Sequence, residues 1–543
     1  MAEWKLRQLG EEERNSYRSG GWWTGETLGQ RMAAQLAAHG DRPFVVHSTS
    51  RPWRGTFADI LDLSRRVAGG LAARGVGAGD VVSFQTPNWI EGAVTFNAAA
   101  LLGAVVVPVV HIYGAHELGY ILNESEPKVH VTAAAFGHLD YLANLREVAG
   151  SSNIDVVVIG DVAPRGSSPF EDLVAHLPIE SPVDADPEAP ALIGWTSGTT
   201  ANPKGVVHSH QSVLAEVMQL GATSAPDVRP TLLANPISHA IGMLGALLIP
   251  IDRGRPVHLL DQFDPSVVLS LMISEDLNSG GGAPYFLSSL LDHPGFTDEH
   301  LARISQFGMG GAPVPRVMTD RATSLGITVY RMYGSTEHPS ITGCSYDAPL
   351  QKRLGTDGRP LDGNEIRLVD AEGNDVGVGA PGEVLSRGPE LFLGYTDPEL
   401  TAAAFDDGGW YHTGDVAVMD EDGFICITDR KSDVIIRGGE NISAAEVEEL
   451  LAQLSGVAEV AVVAAPDERM GEHAAAVFRT LPDQTAPSMD EVRAHLEREG
   501  LARQKWPEEL VEVKEFPRTT SGKVQKFVLR EQFRERSPAY EAR

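Results

Sequence analysis

From about residue 40 to residue 430 the chain alternates short β-branched apolar runs with longer helix-like ones. That alternation restricts it to a layered α/β architecture whose sheets are largely buried. Residues 81–84, 105–109, 129–132, 156–159 and 192–195 have the length and composition of strands. A chain of 543 residues is too long for one compact core, so at least two domains are expected. The most membrane-like stretch, residues 93–110, contains Asn97 and Pro108 and changes from a helix-like half to a β-branched half. It is expected to be a buried helix followed by a strand rather than a membrane span. Gly75-Val76-Gly77-Ala78-Gly79 has no strand before it, so it reads as a turn between helix and strand and does not indicate a nicotinamide cofactor.

The last quarter is patterned differently. Residues 416–419 and 424–428 flank Asp420-Glu421-Asp422-Gly423 and read as a hairpin. The short charged stretch Asp429-Arg430-Lys431 suits a linker. Ser443-Ala444-Ala445-Glu446 reads as a capping box ahead of an amphipathic helix carrying Val447, Leu450, Leu451 and Leu454, and residues 457–465 form the next strand. The expected division is a large α/β domain over 1–429 and a small α+β domain over 430–543.

Charge and cysteine content narrow the function. A formal net charge of −30 excludes a nucleic-acid partner, which would demand basic surface to displace counterions. Cys344 and Cys426 offer neither a disulfide framework nor metal-type spacing, which points to a reducing cytoplasm. The charged first residues lack the apolar core of a signal peptide.

The segment richest in chemistry is Trp195-Thr196-Ser197-Gly198-Thr199-Thr200-Ala201-Asn202-Pro203-Lys204-Gly205. An apolar strand runs into a loop of glycine and hydroxylated residues that ends in lysine. Backbone N–H groups and hydroxyls in such a loop can wrap phosphates while the lysine supplies a compact positive charge. It is not a Walker loop, because Lys204 precedes Gly205 and the GxxxxGK[ST] spacing is missing.

This loop resembles the phosphate-binding signature of the adenylate-forming superfamily, which includes acyl- and aryl-CoA synthetases, peptide-synthetase adenylation domains and beetle luciferases. The family usually has glycine where this chain has Ala201 and tyrosine where it has Trp195. Further segments resemble the family in its own order, and together they span at least residues 50–530. Gly310-Gly311-Ala312-Pro313 resembles the segment that packs on adenine. Tyr333-Gly334-Ser335-Thr336-Glu337 resembles the one whose tyrosine stacks on adenine, whose threonine meets the α-phosphate and whose glutamate helps hold magnesium. Gly382-Glu383, Arg387-Gly388-Pro389 and Gly394-Tyr395 match a structural stretch. Tyr411-His412-Thr413-Gly414-Asp415 resembles the ribose site, Asp429-Arg430-Lys431 the interdomain hinge, and Arg518-Thr519-Thr520-Ser521-Gly522-Lys523 the C-terminal lysine loop.

The resemblance implies the adenylate-forming fold, a large N-terminal domain of layered α/β subdomains with a small mobile α+β C-terminal domain. It implies an ATP-dependent carboxylic acid–CoA ligase using ATP, Mg2+ and coenzyme A. The acid is first joined to AMP with release of pyrophosphate, and a thiol then displaces AMP. Thr196, Ser197, Gly198, Thr199, Thr200 and Lys204 would line the phosphates, with Gly311, Ala312, Pro313, Tyr333, Gly334, Ser335, Thr336, Asp415 and Arg430 around the rest of the nucleotide. Lys523, Thr196, Lys204, His239 and Glu337 would form the catalytic set, and Glu337 would be the metal ligand. Asp429 would be the hinge, and Gly438, Gly439 and Glu440 would line the coenzyme A channel. The chemistry agrees, since an ionised aspartate accepts both ribose hydroxyls and a lone carboxylate suits magnesium that also binds phosphate oxygens.

His239, Met243, Gly281 and Gly310 mark the implied acyl pocket. Ser238 stands where the family usually has an aromatic residue. Between His239 and Pro250 there is no acidic residue, and amino-acid-activating relatives place an aspartate there. A plain carboxylic acid is therefore expected, and the small residues Gly280, Gly281 and Gly282 leave room for a medium-chain fatty or alicyclic acid. An aryl acid is the alternative, as is an acyl-AMP ligase loading a separate carrier protein. A luciferase-like monooxygenase has nothing in its favour, and a non-enzymatic nucleotide binder would have lost Lys523 or Glu337. No integral membrane segment is expected, and a second copy of the chain is admitted as a partner without being required.

Overall fold

The computed structural model describes residues 4–148, 154–160, 163–196, 203–223, 229–431, 433–438, 440–467, 469–481, 483–519 and 522–536, with the side chains of Glu440 and Asn441 excepted. It is a mixed α/β structure with a large N-terminal and a small C-terminal domain.

The β-branched runs are strands, as expected. Val81–Gln85, Val105–Pro108, Val129–Ala133 and Asp155–Ile159 are parallel neighbours at the centre of an eight-stranded sheet. Pro190–Thr196 joins in parallel beside Val105–Pro108, and the antiparallel Lys204–Ser209 and Gly394–Tyr395 complete that edge. Burial on both faces explains the unbroken valine runs, since parallel strands are covered on each side. The membrane-like stretch resolves into helix Ile90–Leu101 and strand Val105–Pro108, both buried. Among the described residues no helix is long and apolar enough to cross a membrane.

The strand order that follows carries the cleft. A sheet of Leu232–Leu233, Val257–Leu260, Pro43–His47 and Trp53–Thr56 is linked through the bridges Thr231–Asn278 and Gly282–Met309 to a sheet beginning Gln306–Met309 and Thr328–Tyr333. A third, antiparallel sheet contains Pro381–Arg387, Tyr411–Met419 and Ile425–Arg430. The expected hairpin is its last pair. Asp429 and Arg430 end the strand Ile425–Arg430 rather than lying in a free linker, because Asp415 and Val416 pair with them across the ladder.

The small domain wraps the antiparallel pair Val457–Asp467 and Gly471–Thr480 with helices Ala444–Leu451, Met489–Arg498 and Lys526–Arg536. Val447, Leu451, Val462, Phe478, Val492 and Leu496 form its core. The capping box at Ser443 is half-formed. Ser443 Oγ accepts the Glu446 N–H at 3.1 Å, but the Glu446 carboxylate is drawn away to Lys505 at 2.6 Å, where an opposite charge outcompetes a backbone N–H.

Candidate functional site

One cleft of about 1830 Å³ lies where the two domains meet, and its walls come from segments far apart in sequence. Thr196 ends one strand and Lys204 opens the next, and the two are direct cross-strand partners, so both ends of the phosphate-type loop are fixed at the rim. Ser197, Gly198, Thr199 and Thr200 themselves lie outside the described residues, as do Thr520 and Ser521. The Lys204 ammonium stands over the Tyr395 ring at 5.6 Å, and the Tyr395 hydroxyl donates to Glu337 Oε1 at 2.7 Å.

Gly310, Gly311, Ala312, Pro313, Tyr333, Gly334, Ser335, Thr336 and Glu337 all border this cleft. Two buried histidines brace the last of them. His208 donates from Nε2 to the Thr336 carbonyl at 2.8 Å. His338 donates from Nε2 to Glu390 at 2.9 Å and has Ser386 Oγ at 2.8 Å from Nδ1. Burial depresses the His208 imidazole to about 4, so at neutral pH it is a neutral donor held in one tautomer.

Asp415 faces the same space. Tyr333 donates its hydroxyl to Oδ2 at 2.8 Å, and Arg430 Nε lies 3.2 Å from Oδ1. Burial raises the Asp415 carboxyl while Arg430 and Tyr333 oppose the rise. Lys523 reaches the cleft from the small domain. Its ammonium is lowered from the ordinary lysine range by burial first and by Arg430 next, with Asp415 and Asp433 opposing. No hydrogen bond or ion pair from that ammonium is seen among the described residues.

The loop carrying Lys523 is tied within its own domain. Thr519 N–H donates to the Lys523 carbonyl at 2.8 Å, and Arg518 Nη1 donates to the Gly522 carbonyl at 2.9 Å. Lys526 pairs with Glu448 and Arg530 with Asp433, each at 2.7 Å. The small domain also meets the large one directly. Gly522, at φ +86°, sits so close to Ala283 and Phe286 that an added Cβ would lie 3.3 Å from the one and 3.4 Å from the other. Arg518 stacks 4.5 Å over the Tyr285 ring, and Glu449 accepts the Arg316 backbone N–H at 3.1 Å.

The expected acyl pocket is the inner part of the cleft. His239, Ile241, Leu244 and Gly245 border it, together with Gly280, Gly281, Gly308 and Gly310. His239 precedes helix Ala240–Gly242, and Met243–Leu248 continues as a π-helix. Burial lowers the His239 imidazole to about 4. Met243 departs from expectation. It borders a separate small void with Leu192, His208 and Val213 and does not border the main cleft.

Glu216 is a pocket residue that sequence reading missed. With Leu220 and Thr223 it forms an i, i+4, i+7 stripe of helix His210–Thr223 along the cleft. The helical spacing was visible in the sequence, but nothing in it located the facing surface.

Asp429 borders the cleft, and burial raises its carboxyl. Gly438 does not. It occupies, at φ +58°, the turn between strands Ile435–Arg437 and Glu440–Ile442, where a Cβ would run into Met470 Cε at 2.3 Å. Gly439 and the Glu440 side chain lie outside the described residues. Among the described residues no group of three or more His, Cys, Asp or Glu could hold a metal ion. A lone carboxylate beside a phosphate site fits magnesium, which takes one or two carboxylates plus phosphate oxygens.

Sequence comparison decides the family. Residues 32–396 match the AMP-binding enzyme family, and residues 446–523 match the AMP-binding enzyme C-terminal domain. The chain belongs to the AMP-binding enzyme family. It is 34% identical over 529 residues to the medium-chain fatty-acid–CoA ligase of Escherichia coli K12, covering 96% of this chain and 93% of that one. It is 34% identical over 498 residues to the 3-[(3aS,4S,7aS)-7a-methyl-1,5-dioxo-octahydro-1H-inden-4-yl]propanoyl:CoA ligase of Rhodococcus jostii RHA1, covering 88% of this chain and 94% of that one. The ATP-bound structure of MatB from Rhodopseudomonas palustris superposes with a TM-score of 0.83 at 29% identity, over 94% of this chain and 99% of that one. Like its relatives, this AMP-binding enzyme is an AMP-forming acid–thiol ligase.

Proposed function

We propose that the protein is an ATP-dependent carboxylic acid–CoA ligase that acts on a medium-chain fatty or alicyclic acid. The observation that carries this reading is the convergence of Lys204, Glu337, Asp415, Arg430, His239 and Lys523 on one cleft shared by two domains. In this reading Asp415 takes the ribose hydroxyls. Lys204 and the loop ahead of it face the phosphates, and Gly311, Ala312, Pro313 and Tyr333 enclose adenine. Glu337 would hold Mg2+, which when bound supplies positive charge to the phosphate oxygens.

The acid's carboxylate oxygen attacks the α-phosphorus, and pyrophosphate leaves. Two anions must meet, so positioning and charge neutralisation supply most of the rate. Lys523 is suited to this step because its ammonium is desolvated and held beside Asp415 and Arg430 without a dedicated partner among the described residues. The coenzyme A thiol then attacks the acyl carbonyl carbon and AMP departs. We place the domain boundary at 429/430, with Asp429 as the pivot that withdraws Lys523 and brings Gly438, Gly439 and Glu440 to the channel. The exposed position of Gly438 away from the cleft accords with the first of two arrangements.

The acid class rests on an inner wall built from Ile241, Leu244, Leu220, Leu233 and Ile249. The Escherichia coli relative is named for medium-chain fatty acids and the Rhodococcus jostii relative for an alicyclic propanoyl substrate. The test is coenzyme-A-dependent AMP release over a panel of acids. Apolar acids of about six or more carbons should support it, and free amino acids should not stimulate pyrophosphate exchange. Strong exchange with an amino acid and none with any fatty, alicyclic or aryl acid would overturn the reading.

A further inference from the structure

An otherwise apolar stretch of the inner wall contains one carboxyl. Glu216 is 1% exposed and borders the cleft with Leu220 and Thr223 of its own helix, and it also borders the small void that Met243 and Leu244 line. Ser340, another wall residue, donates its hydroxyl to Glu216 Oε1 at 2.6 Å. Oε2 has no hydrogen-bond partner among the described residues. An unmatched buried carboxyl oxygen destabilises a fold, so a wall meant only for methylene groups would be better built from leucine.

The protonation state fixes what this carboxyl offers. Burial raises its pKa, and the nearby Glu390 raises it further. Glu390 is itself committed to His338 and to Asn364. Because Oε1 accepts from Ser340, the proton of the neutral acid resides on Oε2, and the group presents one O–H donor. Such a donor complements an acceptor oxygen.

We propose that Glu216, oriented by Ser340, is a specificity-determining residue that receives a carbonyl or hydroxyl oxygen borne by the acid at a distance from its carboxylate. The proposal rests on the cleft being the acid site of a CoA ligase, and it narrows the substrate class to oxygenated aliphatic or alicyclic acids. A site built to hydrogen-bond a substrate oxygen rejects the analogue lacking it far more strongly than an apolar pocket rejects one methylene.

The experiment uses the full-length enzyme with ATP, Mg2+ and coenzyme A, reading AMP release. Matched pairs of acids share a carbon skeleton and differ in one remote oxo, hydroxyl or amino group. The wild type should prefer the oxo or hydroxyl member of at least one pair by about tenfold or more in kcat/KM. Glu216→Gln keeps an N–H donor and should retain most of that preference. Glu216→Leu should abolish it, lowering kcat/KM for the oxygenated acid of each pair to that of its plain partner. A residue serving only to pack Ser340 would alter the thermal melt and leave the ratio between paired acids unchanged.

If no pair shows an oxygen preference in the wild type, or if the amino member is preferred, the proposal is overturned while the ligase reading stands. The wild-type ratio decides this even if Glu216→Leu fails to fold. Absence of AMP release with every acid would overturn the ligase reading and this proposal together.

Discussion

The two walls of the cleft are built on different plans. On the large domain, each polar group is held by a neighbour on another element: Asp415 by Tyr333, Glu337 by Tyr395, and Thr336 by His208, with Arg430 reaching Asp415 from just past the 429/430 boundary. On the small domain, Lys523 rides on a loop stiffened by ion pairs internal to that domain, Lys526–Glu448 and Arg530–Asp433. Between the walls, among the described residues, lie a stacked arginine, the Glu449 bond to the Arg316 N–H, the seat of Gly522, the Ser443 hydroxyl bond to the Thr428 carbonyl and, just past the boundary, the Arg430–Asp415 and Lys431–Glu383 pairs. Each wall is therefore braced mostly by its own residues, and several of the bonds between them cluster around the 429/430 boundary. That is the arrangement expected where one catalytic group must be removable without loosening the rest.

The strongest way to break this contrast is to remove the movable group. Lys523→Ala should slow adenylate formation by about 10²–10³ while leaving thioester formation from supplied acyl-AMP within a few-fold. Equal losses in both half-reactions would mean the lysine is not confined to one arrangement. On the fixed wall, Asp415→Ala should raise KM for ATP by an amount corresponding to about 1.5–3 kcal/mol, the usual worth of a charge-assisted hydrogen bond. Unchanged ATP affinity in a variant with a normal melt would reduce Asp415 to a turn residue.

The joint itself should respond less. Tyr285→Ala removes the ring beneath the largely buried Arg518, and a cation–π contact that is partly desolvated contributes about 1 kcal/mol. Adenylate formation should therefore fall a few-fold and thioester formation should not. Loss of both would show that Tyr285 supports the acyl pocket rather than the joint.

The last contrast separates the domains by acid. Burial lowers His130 and His208, both in the large domain, to about 4. An unfolded chain binds a proton at these sites near pH 6.5, so between those values the unfolded state holds more protons. Stability is then full above pH 6.5 and is lost as pH falls toward 4. Between pH 7 and pH 6 the loss is about 0.7 kcal/mol for each histidine. A urea midpoint that does not drop over this interval would show that one or both are solvated in the folded protein.

Much of this molecule could be read in the sequence wherever the information is contiguous. The central strands were legible because burial on both faces leaves unbroken valine runs, and the site loops were legible because each is a short run with a fixed order. What escaped was set by tertiary neighbours. The bracing of Thr336 by His208 and of Glu337 by Tyr395 joins residues 128 and 58 positions apart. The absence of an acid between His239 and Pro250 speaks only for that segment, and Glu216 reaches the cleft from another helix. Met243, implied only by the family resemblance, borders a neighbouring void instead of the cleft, and nothing in its local sequence signals which of the two it would reach. Glu446 left its cap because Lys505, distant in sequence, offers a full charge.

The π-helical segment Met243–Leu248 has a consequence for how this pocket can be retuned. Its i→i+5 bonding accommodates a surplus residue within a turn, and Gly245 packs so near Leu233 that an added Cβ would lie 3.1 Å from its Cδ1. Deleting Gly245 would let the segment close as an α-helix, keeping the flanking helical ends in place while re-indexing every side chain between them. The floor of the pocket would then present a different set of residues with no change elsewhere in the chain. A shift in the preferred acid length in that deletion variant, with ATP affinity unchanged, would show that this turn works as a vernier, moving the pocket's reach in steps of one residue.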